Sequence, residues 1–224
     1  MKSEAATGPT IFYRLMALSI IVISLVAFST GFVKGDLGAR AREPWVQIHA
    51  AAFIAWQVLF LWQTVLIAAS RTALHKKFGI ALATLAAVMI GIAIQAGLWG
   101  FAKNGYPVGA LSVLYAAIPH VDMILFTVFV CLALAFRKKS DIHKRLMLLA
   151  AIALMDAVAG RLPALWRIGP WAHFVVQDAF VVAGIAYDWI YFRRVHPVYV
   201  LGGLAILVLP PLAEPAWFLV KSLL

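Results

Sequence analysis

Seven apolar runs, each about as long as a bilayer core is thick, constrain this chain more than any other feature. They fall at roughly 11–33, 45–69, 79–101, 118–136, 146–165, 170–192 and 198–220, and about 20 apolar residues cross the hydrocarbon region as one helix. With 64% of its residues hydrophobic and only 12% charged, the chain lies far outside the composition of soluble globular domains. The expected fold is all-α: a polytopic membrane helix bundle with seven transmembrane helices in a single domain over 1–224. A lead helix (1–33) precedes three helical hairpins (45–101, 118–165 and 170–220). The first run is too long for a signal-peptide core, and no small-residue cleavage site precedes the charges that follow it, so it reads as a helix.

The net charge of +10 does not point to a nucleic-acid partner, because the cations are grouped by loop. Arg71, Lys76 and Lys77 fall in one loop, Arg137, Lys138, Lys139, Lys144 and Arg145 in another, and Arg193 and Arg194 in a third. The loop around Lys103 has almost none. This is the positive-inside pattern, which sets the N-terminus in the cytoplasm and the C-terminus outside, as in a bacterial inner-membrane protein. Lys34, Arg40 and Arg42 run against it, offset in part by Asp36 and Glu43. The basic rim suits anionic lipid headgroups, with the bilayer itself as principal partner and a larger membrane complex as a further one. Cys131 is the single cysteine, so one chain can form neither a disulfide nor a thiolate metal site.

All six histidines pair across the membrane. His49 and His75, His120 and His143, and His173 and His196 are each separated by about 23 to 26 residues, roughly 35–39 Å of helix. Pro44, Pro119 and Pro170 open the helices that carry His49, His120 and His173, and proline suits a first helical position. Those three histidines therefore share one depth on three helices. Ionisable groups inside a bilayer are functional candidates by default, and Asp122, Asp156 and Asp178 lie at or below the same level. His120 and Asp122 cannot share a helix face, whereas His173 and Gln177, four apart, do. A carboxylate that meets one of these histidines must come from another helix. Asp156 has a second option in Arg161, five residues on. Lone small residues, Gly91, Ala93, Gly97 and Gly184, suit close helix approach, and the apolar stretch from Tyr106 to Ile118 suits an interfacial or re-entrant segment.

Three imidazoles with an open position are a catalytic arrangement for zinc, iron or copper. On that reading His49, His120 and His173 hold one metal. Asp122, Asp156 and Asp178 are the candidate catalytic groups, with Asp122 or Asp178 as fourth ligand or general base, in a redox or hydrolytic membrane metalloenzyme. Acidic residues that carry protons or cations through a transporter are another reading, and a structural subunit of a membrane complex a further one.

The starts of helices two to five are also similar in layout to cytochrome b561, a family with histidines on four successive helices. That resemblance implies haem b: His49 and His120 would ligate an outer haem, and His75 and His143 an inner one. The segment Lys139-Ser140-Asp141-Ile142-His143-Lys144-Arg145-Leu146 further resembles uncharacterised bacterial membrane proteins with a His-Lys/Arg motif at a helix start. The likeness is one of spacing and order, and the pair His173 and His196 lies outside it.

Overall fold

A computed structural model of the chain describes residues 4–34, 44–104, 120–169 and 171–222. The stretch from Tyr106 to Ile118, including any re-entrant segment, lies outside the described residues. The described helices are α1 (Glu4–Lys34), α2 (Pro44–Ala68), α3 (Thr72–Asn104), α4 (Val121–Ala135), α5 (Ser140–Ala153), α6 (Met155–Ala159), α7 (Pro163–Trp166), α8 (Ala172–Phe192) and α9 (Pro197–Ser222). No strand occurs among the described residues. Among the described residues, four stretches are long and apolar enough to cross a membrane: Thr10–Ser29, Gln47–Ala68, Thr72–Gln95 and Ala172–Phe192. Val121–Ala135 and Pro197–Ala213 are shorter apolar helices.

The fifth helix differs from its expected span of 146–165. It starts six residues earlier, at Ser140, because Lys and Arg are good helix formers outside an apolar medium too, and Asp141 in the first turn complements the helix dipole. It also breaks at Leu154, whose ψ of −5° separates α5 from the five-residue α6. The break frees backbone carbonyls, and a neighbouring helix fills the need. Gln177 on α8 donates from Nε2 to the carbonyls of Ile152 and Ala153, at 3.2 and 3.0 Å.

Short turns join α2 to α3, α4 to α5 and α8 to α9, and each pair packs side by side. Packing also closes a circuit: α1 on α2, α2 on α3, α3 on α4, α4 on α5, and α5 back on α1. Trp56 of α2 and Phe126 of α4 meet within this circuit, ring centres 5.1 Å apart and both rings fully buried. Ser24 and Gln57 tie α1 to α2, with Gln57 Nε2 donating to Ser24 Oγ at 2.9 Å.

Helix α5 is the central element. Every residue from Arg145 to Met155 is buried, which an all-round apolar sequence such as Leu146-Met147-Leu148-Leu149 allows. It also contacts α8 and α9, and α9 reaches it through glycine. A Cβ at Gly202 would lie 2.5 Å from Leu149 Cδ1, and one at Gly203 would lie 2.8 Å from Val181 Cγ1. Among the glycines expected at close approaches, Gly184 does face a neighbour, Tyr199, with its Cε1 3.0 Å from an added Cβ. Gly91 does not, since a Cβ there meets nothing within 4 Å.

Candidate functional site

The three short turns gather at one end, which is the basic one. There His75 in the first turn of α3 faces His143 in the first turn of α5, although each belongs to a different hairpin. Their ring centres are 6.4 Å apart and their planes cross at 83°. His143 Nδ1 lies 2.8 Å from the carbonyl oxygen of Ala133. A carbonyl only accepts, so Nδ1 carries a proton, and in the neutral ring Nε2 is the nitrogen left with a lone pair. The local cause is plain: Ala133 lies in the last turn of α4, where carbonyls lack intrahelical partners, and the next helix supplies the donor. His75 Nδ1 is buried with no hydrogen-bond partner among the described residues. One turn along the same face, Gly79 leaves open space where a Cβ would stand.

The third histidine of that end is used differently. The backbone N–H of His196 donates to Asp188 Oδ2 at 3.0 Å, and its Nδ1 accepts from the N–H of Val198 at 3.2 Å. Asp188 is fully buried and receives Arg145 from α5, with Nη2 2.6 Å from Oδ1. The Arg145 guanidinium also lies over the rings of Phe192 and Tyr199, and the Tyr199 hydroxyl is 3.4 Å from that of Tyr13. Sequence reasoning missed the Arg145–Asp188 pair. The available signal was an aspartate deep in the basic half of helix eight, with an arginine at matching depth on helix five.

At the opposite end the carboxylates, not the histidines, converge. Asp122 on α4 and Asp156 on α6 come within hydrogen-bonding reach of each other, and Gln177 on α8 reaches Asp122. His173 Nε2 is 3.3 Å from Asp156 Oδ1, so a carboxylate does meet a histidine from another helix, as the helical spacing requires. Asp178 on α8 is near enough to feel the charge of Asp156. The optional Asp156–Arg161 pair is not among the described ion pairs. Arg161 instead donates from Nη1 to the carbonyl of Ala157 and stacks over Phe28, because Asp156 is engaged by α4 and α8. His49 lies near Arg161 and beside Phe53, ring centres 6.2 Å apart.

Among the described residues, no group of three or more His, Cys, Asp or Glu side chains is arranged to hold a metal ion. Accordingly, no three-histidine centre of His49, His120 and His173 is found among them. Compared with known proteins, the chain matches no protein-family model, no curated protein and no solved structure at a significant level.

Proposed function

We propose that this chain is a seven-span integral membrane cytochrome of the b type, with His75 and His143 holding a haem at its basic, cytoplasmic end and the N-terminus on that same side. One observation carries the proposal: two imidazoles from separate helices face each other with ring centres 6.4 Å apart. Two imidazoles brought together from separate helices are a ligand set that would suit a haem iron. Two ligands suffice for a haem, so the lack of a three-residue group among the described residues is no obstacle. Bound between two imidazoles, a haem supplies single-electron transfer.

The protein's own part is to orient and ready the ligands. The Nδ1–H bond from His143 to Ala133 sets the ring and makes Nε2 the coordinating atom, as outer-shell bonds do for metal-bound histidines. Lys76, Lys77, Lys138 and Lys139 ring this end and hold it at anionic headgroups. Only the His75–His143 pair carries the proposal, and no ligand role is assigned to His49, His120 or His173.

The test is an absorption spectrum of the detergent-purified protein, expressed with ample haem, before and after dithionite. A Soret band that shifts on reduction, and that is lost in His75→Ala and in His143→Ala but kept in His196→Ala, is the expected result. Folded, haem-supplied protein with a featureless visible region overturns the proposal. So does a spectrum that survives both His75→Ala and His143→Ala.

A further inference from the structure

The cluster at the other end contains more acceptors than donors. Asp122 Oδ1, Asp178 Oδ1 and Gln177 Oε1 are buried without a hydrogen-bond partner among the described residues. Gln177 is itself fully buried, and its Nε2 is held by the carbonyls of Ile152 and Ala153. Its side chain nonetheless reaches the Asp122 carboxyl, which in turn reaches that of Asp156. Two ionised carboxylates only accept, so their approach in a low-dielectric site is repulsive; one proton between them turns it into a short, charge-assisted bond.

We infer that Asp122 and Asp156 form a shared-proton site at the end of the bundle opposite His75 and His143, with His173 as its connection to the aqueous phase. The ligand is a solvent proton. His173 keeps 14% of its side-chain surface exposed and Asp156 18%, while His173 Nε2 stands 3.3 Å from Asp156 Oδ1. A proton from water enters on His173, crosses to Asp156 once the imidazole swings its Nε2–H into line with the carboxylate 3.3 Å away, and is held between Asp156 and Asp122. The imidazole returns to neutral, and the pair's charge falls by one unit. No electron or co-reactant takes part. Among the described residues, the other charged and titratable groups at this end are Asp178 from α8, Arg161 beyond α6 with His49 from α2 near it, and His120 at the start of α4. From α1 the cluster receives Phe28, which sits on Arg161 and brings no charge.

This inference needs no haem, and neither does its test, so the two proposals fail separately. Infrared spectra of the full chain in lipid vesicles, recorded in H2O and D2O, separate the C=O stretch of a protonated carboxyl from the carboxylate bands. The expected result is a carboxylic-acid band at neutral pH that shifts in D2O and is lost in both Asp122→Asn and Asp156→Asn. In Asp178→Asn it remains. In His173→Gln the band persists but its H/D exchange slows by roughly tenfold or more, which a purely structural histidine would not cause. Absence of the band from the unmodified protein overturns the inference without recourse to any variant. A band that survives both Asp122→Asn and Asp156→Asn, or that exchanges at an unchanged rate in His173→Gln, overturns it equally.

Discussion

Arg145 grips Asp188 through two nitrogens, Nη2 2.6 Å from Oδ1 and Nε 2.9 Å from Oδ2, and both side chains are buried. Arg145 also donates from Nη1 to the Asp141 carbonyl at 2.8 Å, and Asp188 accepts the N–H of His196. One ion pair thus locks α5, α8 and the turn into α9 at the end where His143 must hold its position. Desolvation opposes such a pair, so it matters more for what breaking it would cost than for net stability.

Asp188→Asn should destabilise the protein by about 3–5 kcal/mol, because it leaves the Arg145 cation buried without a counter-charge. The double variant Arg145→Met with Asp188→Leu should recover most of the loss. Thermal unfolding in detergent measures both; a double variant as unstable as the single one would assign the effect to packing instead of charge.

Gln177→Leu should cost about 1–3 kcal/mol, since the carbonyls of Ile152 and Ala153 lose their donor inside the bundle. Amide hydrogen exchange should rise first around the break at Leu154. Exchange that rises evenly over the chain would contradict this.

Gly202→Ala should destabilise by about 1–3 kcal/mol, as the added methyl runs into Leu149 and Phe129. Gly91→Ala should be neutral or stabilise by about 0.5–1 kcal/mol, because it meets open space and alanine is the better helix former. The two variants, unfolded side by side, test whether α9 packs on α5 as closely as described.

Acidification should loosen the basic end. Burial first, and then the Arg145 cation, push the His196 imidazole below its ordinary 6.5. The unfolded chain binds that proton more readily, so the contribution is complete above pH 6.5 and declines as pH falls through that value towards the lowered one. Protonating Nδ1 would also remove the acceptor for the Val198 N–H. At Asp141 the hydrogen bond and charge of Lys144 hold the carboxyl below its ordinary 3.8. Its contribution is present above pH 3.8 and is lost as pH falls through the lowered value. His196→Asn should flatten the dependence of unfolding temperature between about pH 7.5 and about pH 5.5 and leave the more acidic limb in place.

Helical character was legible in the chain: the apolar runs at roughly 11–33, 45–69, 79–101 and 170–192 correspond to the four described stretches long and apolar enough to cross a membrane. Helical spacing also shows that a carboxylate meeting a histidine has to come from another helix, and Asp156 reaches His173 in that way. Lateral position was not legible. His75, His143 and His196 read alike in sequence, yet His75 and His143 face each other while His196 is held by Asp188 and Val198. The break at Leu154 had no local signal either, for no proline or glycine interrupts Leu148 to Met155. Its freed carbonyls are satisfied by a side chain more than twenty residues away. A helix runs on backbone bonds between near neighbours, so the apolar runs by themselves determined that the chain is helical and roughly where most of its helices lie. Which groups meet depends on which helices pack together, and only the tertiary structure decided that.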